Sequence, residues 1–245
     1  ELVQLPYIRW FSTPVKRGDA VVFNFPAGDT VINLPDYQSK VPYYDVCRSL
    51  GNRNIDAGRK IVLADPDNYP LAVHPADKSD NYIKRCVGVS GDLLEVRHGD
   101  VYIDGAKQPL PPQSELFYIV TTRISPDMEL LKSEYNVDID KGELEITGLN
   151  TYRMLLTAEA KEKMEKSGFA TSITMDEGYA GGGGPVFPYD TLHRWSRDNF
   201  GPIRIPSKNM QIALNDSTYT VYERAIRVYE KNEFYVKDGK YFLNG

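Results

Sequence analysis

Two short apolar runs early in the chain predict β-strands. The first spans residues 20–25 (AVVFNF), follows a polar turn and is stopped by Pro26. The second spans residues 82–89 and is closed by Ser90-Gly91-Asp92. Residues 27–80, between them, are rich in Asp, Asn, Pro and Gly, a composition typical of loops. We therefore expect two strands separated by a long irregular excursion that has only short strands of its own.

Two hairpins are also predicted. Residues 93–96 and 100–104 flank His98-Gly99, and residues 234–243 turn at Asp238-Gly239. Glycine readily adopts the positive φ that a tight hairpin turn requires. Both segments are therefore expected to form antiparallel strand pairs.

Upstream of the second hairpin the pattern changes from turn and strand to helix. Residues 197–206 (RDNFGPIRIP) have turn-and-strand character. Apolar residues then recur at helical spacing over residues 217–231, which predicts a helix with Asp216 or Ser217 as its cap.

Residues 116–175 differ from the rest of the chain, because predicted strands alternate with predicted helices there in the order β-α-β-β-α-β. This is the order of a ferredoxin-like unit. Ser125-Pro126 is expected to open the first helix with serine as N-cap, and the second spans residues 158–167 between Thr157 and Gly168. The predicted strands are residues 116–123, 144–147, 152–156 and 169–175. A looser α+β excursion without a closed core is the alternative.

The predicted fold class is mainly β, with an inserted α+β subdomain. We assign residues 1–112 and 185–245 to one discontinuous β domain and residues 113–184 to the insert. The insert ends in four consecutive glycines at 181–184, a composition typical of a flexible linker.

Composition narrows the classes of function. A net charge of −5 and a pI of about 5.3 do not favour nucleic acid as a partner. The apolar runs are far shorter than the ~20 residues that cross a bilayer. Three histidines lie far apart without metal-ligand spacing, and two cysteines are too few for a zinc site, so no metal or cofactor is expected. Cys47 and Cys86 are either two separate thiols or one disulfide.

A lysine stands inside the second apolar run, at Lys84. In one interpretation, strand alternation turns its side chain to a solvated face. In the other, the side chain is buried, and burial disfavours the charged ammonium form of a lysine. A neutral amine can take a proton from a nearby hydroxyl, which gives a serine–lysine dyad without histidine. The residues alone leave both interpretations open.

Two motifs resemble boxes of the type I signal peptidases. NYIKRCVGVSGD at residues 81–92 is similar to the family's lysine-bearing box, Y-x-K-R-x-x-G-x-x-G-D, and Tyr102-Ile103-Asp104-Gly105 continues the likeness. RGDAVVFNFP at residues 17–26 resembles the box that precedes it. Residues 197–206 are similar to a segment of the Bacteroidetes branch of the family. The resemblance covers residues 1–26, 81–105 and 186–245, and it implies a signal-peptidase-like antiparallel β domain.

The resemblance implies roles for individual residues. Lys84 matches the general base, which deprotonates the nucleophilic serine and later protonates the leaving amine. Tyr82 and Ile83 match positions whose backbone pairs with an extended substrate and whose side chains line shallow pockets for small side chains, and Val22 matches another position in the pocket wall. Arg85, Gly91 and Asp92 match architectural positions, namely a charge pair with the family's C-terminal box and a tight turn.

Two family boxes have no counterpart in residues 1–245. No serine occurs in an S-M-x-P-T-L-like setting, and the final box, G-D-N-R-x-x-S-x-D-S-R, is not found. Ser12 is a poor substitute, because it lies too close to Gly18-Asp19, which belongs to the next box. We therefore expect a fragment without the N-terminal membrane and serine region, inactive by itself although its parent is a serine endopeptidase.

The resemblance also implies partners and a location. The parent is expected to cleave signal peptides from exported preproteins while anchored in the bacterial inner membrane, with this part in the periplasm. Three other hypotheses stay open: a non-catalytic envelope module that binds extended peptides, a LexA-like serine–lysine autoprotease, and an unrelated α+β domain.

Overall fold

The computed structural model has the predicted mainly β class. The structure describes residues 13–24, 30–38, 40–52, 54–74, 81–178 and 186–245. The predictions for residues 25–26 and for the glycines at 181–184 lie outside these ranges. The chain divides into two compact units, one formed by the residues up to Asp92 with Ile205–Ile212, the other by Leu93–Arg204 with Ala213–Gly245.

The first unit contains four strands and two helices among its described residues. Strand β1 pairs antiparallel with β4, and β2 pairs antiparallel with β3. In chain order the elements are β1 (Ala20–Asn24), β2 (Thr30–Ile32), α1 (Tyr43–Leu50), α2 (Ile55–Ala64), β3 (Leu71–Val73) and β4 (Asn81–Arg85).

The prediction of an irregular excursion over residues 27–80 was wrong, because this stretch holds both helices. Its polar residues and glycines cap the helices and allow them to pack closely. The Asn54 side chain caps α2 by accepting a hydrogen bond from the N–H of Ala57 at 3.0 Å. A Cβ on Gly58 would lie 1.7 Å from the carbonyl oxygen of Cys47, so glycine here permits the close approach of α2 to α1. A small core of Ile32, Tyr43, Cys47 and Val62 lies around this contact.

Both cysteines are free thiols. Cys47 is buried in the core just described, and Cys86 is half-buried beyond the end of β4. The Cys86 thiol donates to the carbonyl oxygen of Gly88 at 3.2 Å. Of the two alternatives drawn from the sequence, separate thiols is the correct one.

The second unit contains a four-stranded antiparallel sheet built on the first predicted hairpin. Its strand order is β12-β5-β6-β7. His98 and Gly99 join β5 to β6 with φ values of 48° and 76°, which confirms the predicted turn. The strands are β5 (Leu93–Arg97), β6 (Asp100–Ile103), β7 (Ala106–Lys107) and β12 (Phe200–Arg204).

The predicted β-α-β-β-α-β segment forms a second sheet in the same unit. Its elements are β8 (Glu115–Thr122), α3 (Met128–Tyr135), β9 (Leu144–Gly148), β10 (Thr151–Thr157), α4 (Ala158–Ser167) and β11 (Ala170–Met175). The strand order is β11-β8-β10-β9 and every neighbouring pair is antiparallel. If the four strands are counted in chain order, this is 4-1-3-2, so the ferredoxin-like prediction is correct.

A closed core explains why this segment folds. Along β10, Tyr152, Met154 and Leu156 are buried while the residues between them are not, which is the period of two expected of a strand with one covered face. The two helices cover that face with Leu131 and Met164, both fully buried. The alternative of a loose excursion without a core is excluded.

The helix caps of this unit were predicted only in part. Thr157 caps α4 as expected, accepting from the N–H of Ala160 at 3.1 Å. The predicted cap of α3 was wrong: Asp127, not Ser125, accepts from the N–H of Glu129, at 2.8 Å. Ser125 instead has its hydroxyl 3.2 Å from that of Tyr152. A carboxylate in the right place is as good a cap as a hydroxyl.

The last helix also begins one residue earlier than predicted. Asn215 caps α5 (Asp216–Arg224) by accepting from the N–H of Thr218, and the hydroxyl of Thr218 accepts from the N–H of Asn215 in turn at 3.0 Å. The chain continues in a π-helical turn, Ala225–Tyr229. The final hairpin joins β13 (Phe234–Lys237) to β14 (Lys240–Leu243) through the predicted Asp238-Gly239 turn.

The closed core leads us to expect that residues 113–184 fold without the rest of the chain. As a separate protein they should give dispersed amide resonances by NMR and one cooperative unfolding transition. The domain boundaries stay a prediction until this is measured, and a collapsed amide spectrum would contradict it.

Replacing Leu131 by alanine should lower the free energy of unfolding of this segment by about 2–5 kcal/mol, because it removes a fully buried side chain and leaves a cavity. Leu130, the neighbouring leucine, is 40% exposed, and Leu130→Ala is the matched control, with an expected change within about 0.5 kcal/mol. Urea titration of both variants measures the difference.

Candidate active site

The two sequence motifs meet as one antiparallel ribbon. Strand β1 belongs to the upstream motif and β4 to the lysine-bearing motif, and they pair residue for residue from Ala20↔Arg85 to Asn24↔Asn81. Directly opposite residues on antiparallel strands point to the same face. The register therefore decides which predicted site residues share a face.

Lys84 lies on one face of the ribbon with the aromatic residues. It is opposite Val21, and two residues along the strand Tyr82 is opposite Phe23, so all four side chains lie on this face. The rings of Phe23 and Tyr82 stack with centroids 6.3 Å apart. The Lys84 side chain is exposed. The described residues of this unit therefore do not enclose the amine.

Val22 and Ile83 lie opposite each other on the second face. They are 64% and 66% exposed. The predicted substrate-contacting residues thus divide into two groups. Tyr82 accompanies Lys84, and Ile83 accompanies Val22.

Arg85 anchors the end of the ribbon. Its guanidinium donates to the carbonyl oxygen of Gly18 at 2.7 Å. The ladder extends here beyond the two strands, because the N–H of Gly18 donates to Cys86 at 2.7 Å and that of Cys86 to Asp19 at 2.8 Å. Arg85 therefore contacts the upstream motif directly.

Asp92 forms a bidentate ion pair with Arg17, 75 residues away in sequence. Nε and Nη2 of Arg17 donate to the two carboxylate oxygens at 2.7 and 2.6 Å. The N–H of Val89 donates to the same carboxylate at 2.8 Å. Asp92 is buried, and the hydrogen bonds from Arg17 and then from Val89 lower the pKa of Asp92 to about 2.

The sequence interpretation gave Arg17 no role and expected the charge pair of the lysine-bearing motif to be made with the family's C-terminal box; Asp92 is instead paired with Arg17. The signal was present, because each motif carries a Gly-Asp pair and the upstream one begins with an arginine. An arginine in one motif and an aspartate in the other are candidates for an ion pair once their strands are predicted to be neighbours.

Gly91 makes the turn that brings Asp92 into this position. Its φ of 93° lies in the region that favours glycine, which fits the tight turn expected there. The N–H of Gly91 donates to Ile205 at 3.0 Å, and the N–H of Ile205 donates to the carbonyl of Asp92 at 2.8 Å. The end of the third motif, residues 197–206, is therefore hydrogen-bonded to the turn that follows Lys84.

Ser12 lies outside the described residues. In the described ranges, no three His, Cys, Asp or Glu side chains are grouped so that they could hold a metal ion. No helix in the part of the chain that the structure describes combines the length and apolar character needed to cross a bilayer.

The ribbon offers a primary amine, an aromatic pair beside it and exposed aliphatic residues on the opposite face. An amine acts as a base only when it is neutral, and removal of water favours the neutral form. The described residues supply the position of the amine, and any enclosure has to come from other groups.

Comparison with known proteins agrees with the motifs. The family model described as signal peptidase, peptidase S26, matches residues 4–168, which is more than half of the chain. The match extends through α4 but not over residues 186–245, where a resemblance was also expected. No solved structure matches the chain.

Curated relatives match over a short stretch. Signal peptidase IB from Staphylococcus aureus strains Mu50, N315 and MW2 is 42% identical over 41 residues, which are 17% of this chain and 22% of the relative. The chain thus spans less than a quarter of the length of these relatives.

The ion pair of Asp92 with Arg17 predicts that the fold loses stability in acid. Since the pKa of Asp92 is lowered from 3.8 to about 2 by folding, its ionised form stabilises the fold above pH 4, and this contribution fades as the pH falls from about 4 to about 2. Asp92→Asn should lower the melting temperature at pH 7 and approach the parent chain near pH 2. The exposed Asp67→Asn is the control and should follow the parent throughout. An Asp92→Asn difference that does not vary with pH would contradict this account.

Proposed function

Because this chain belongs to the S26 family of signal peptidases, we propose that it supplies the general base, Lys84, of a serine–lysine dyad that cleaves signal peptides from exported preproteins. The observation that carries the proposal is the β1–β4 ribbon. Two family-like motifs, far apart in sequence, pair in a single register with Lys84 on one face. A chance occurrence of either motif gives no reason for such pairing.

In the proposed reaction the neutral Lys84 amine takes the proton of a serine hydroxyl as the hydroxyl oxygen attacks the scissile carbonyl carbon. The ammonium then gives that proton to the amine of the leaving peptide. Water repeats the cycle on the acyl-enzyme, with Lys84 again as base, and releases the signal peptide. The original serine proton therefore leaves on the released amine, and a proton from the water, passed through Lys84, restores the serine hydroxyl.

We propose that the substrate binds in extended form beside the ribbon. Main-chain hydrogen bonds to a strand edge give affinity, and shallow apolar contacts select small side chains. Tyr82 lies beside Lys84, and Val22 with Ile83 forms an exposed aliphatic pair on the opposite face. These three residues are the proposed substrate contacts, and Arg85, Gly91 and Asp92 hold the ribbon and its turn in place.

The nucleophile is proposed to come from another segment of the same protein, since residues 1–245 contain no serine in the S-M-x-P setting. That protein would be anchored in the inner membrane with this part in the periplasm. Residues 1–245 are accordingly expected to be inactive by themselves.

The second candidate function is a non-catalytic module that binds extended peptides. It is favoured by one observation: Lys84 is exposed, while the aliphatic pair on the other face is equally open to a ligand. The two candidates share a binding surface and differ in whether a serine is supplied. Cleavage that depends on Lys84 separates them.

The first test joins residues 1–245 to the serine-bearing and C-terminal boxes of an S26 signal peptidase and measures cleavage of a preprotein with an Ala-x-Ala site. Lys84→Ala should lower kcat/KM by about 10²–10⁴-fold, which is the contribution typical of a general base. Lys84→Arg should do the same, because arginine keeps the charge and cannot lose its proton.

Lys60→Ala, an exposed lysine on α2, is the matched control and should cleave like the parent. Retention of activity by Lys84→Ala would exclude the dyad. Cleavage by residues 1–245 alone that needs Lys84 would overturn the proposal that the serine lies elsewhere.

Substrate selection should depend on the aliphatic pair. Val22→Trp or Ile83→Trp would fill the shallow contact surface and is expected to change the relative kcat/KM for preproteins with small and large residues before the cleavage site by about 10-fold or more. Val73→Trp is the control, since Val73 is 67% exposed on β3. An equal effect of all three variants would remove Val22 and Ile83 from the substrate site.

A further inference from the structure

Three polar side chains of the second unit form a linear chain of hydrogen bonds. The Asp190 carboxylate lies 2.9 Å from Nδ1 of His193, and Nε2 of His193 lies 2.9 Å from the hydroxyl oxygen of Ser217. Asp190 is close to His193 in sequence, but Ser217 is 24 residues away, so the fold brings the third side chain to the other two.

The contacts of Asp190 determine which ring nitrogen carries the proton. The carboxylate accepts only, so it takes the Nδ1–H of His193 and leaves Nε2 as the acceptor that faces the Ser217 hydroxyl. The other carboxylate oxygen accepts from the backbone N–H of His193 at 2.8 Å and of Leu192 at 3.1 Å. The carboxylate is therefore held in place before any ligand arrives.

The Asp190 and His193 end of this chain of hydrogen bonds is largely shielded from solvent. The side chains of His193 and Asp190 are only 11% and 16% exposed, and the His193 ring packs on Trp195 with centroids 4.4 Å apart. Burial acts to raise the pKa of Asp190, but hydrogen bonds from Thr220 and from His193 outweigh it and hold that pKa below its ordinary value. Asp190 thus stays ionised as the partner of a histidine that gains a proton.

Ser217 is the exposed end of the relay. It is the second residue of α5 and is open to solvent. At a helix start the first backbone N–H groups have no partner within the helix. Asn215 accepts from the N–H groups of Thr218 and Tyr219 there.

We propose that Ser217, His193 and Asp190 form a second nucleophilic site, a Ser–His–Asp relay that accepts an acyl group from an unhindered activated ester. It is independent of the proposed signal-peptide cleavage, because Lys84 belongs to the other unit. Ser217 is the nucleophile, His193 the base, and Asp190 the residue that positions His193.

The proposed step balances without a cofactor. The Ser217 oxygen forms a bond to the ester carbonyl carbon, its proton passes to Nε2 of His193, and the carbon–oxygen bond to the alcohol breaks as that alcohol takes the proton. Water then attacks the acyl-serine by the same proton path, which releases the carboxylic acid and restores the hydroxyl.

The test treats the full chain with an alkyl fluorophosphonate, whose phosphorus–fluorine bond breaks as the serine oxygen bonds to phosphorus and hydrogen fluoride is released. Peptide mass spectrometry then gives the labelling rate of each serine. Ser217 should react at least about 100-fold faster than Ser172, an exposed serine of the same unit on β11. Equal rates for the two serines in the unmodified chain would overturn the proposal.

Variants identify the members of the relay. His193→Gln should lower the Ser217 labelling rate about 100-fold or more, and Ser172→Ala should leave it unchanged. Asp190→Asn should slow it and Asp190→Glu should restore part of the rate, since glutamate keeps the charge that a purely structural role would not need. Full labelling in His193→Gln would also overturn the proposal.

Discussion

The bidentate pair of Arg17 with Asp92 is the interaction on which the candidate site depends. It joins the turn before β1 to the turn after β4, so it closes one end of the ribbon that carries Lys84. A buried carboxylate needs such a partner, because an unpaired charge away from water is strongly destabilising. A shift of the ribbon by one residue would turn every side chain of β4 to the other face. The pair and the Arg85–Gly18 hydrogen bond together resist that shift, and the composition of each face follows from them.

The parts of the fold that could be predicted are those whose signal is local. The alternation along β10, the Asp238-Gly239 turn and the Thr157 cap are each visible in a few consecutive residues, and each is found in the structure. The ferredoxin-like order followed from such local elements alone. Local elements could not predict which site residues share a face of the ribbon. That depends on the register between strands that lie more than fifty residues apart.

The helices α1 and α2 show why the rest could not be predicted by composition. Asn54, Gly58 and Asp65 raise the polar and glycine content of the segment, yet each has a helical role, as cap, close-contact point and end. The spacing of the apolar residues would have predicted the two helices. Tyr43 and Cys47 are four residues apart and Ile55 and Val62 seven apart, which is the spacing of one helix face. A density of loop-forming residues does not distinguish a loop from two short helices with well-defined ends.

The exposure of Lys84 is best understood through what an S26 peptidase would need from it. A fixed and fully buried lysine would carry a permanent desolvation cost in the free protein. Under the proposed function, an amine held on an open ribbon face would avoid that cost and would become enclosed only when an extended peptide and the serine-bearing segment cover the face. The ribbon would then orient the amine, through Val21 and the Phe23–Tyr82 pair, and the bound peptide would exclude water from it. Under the proposed function, binding of the correct peptide is thus part of what makes Lys84 a base, which couples substrate selection to the chemical step.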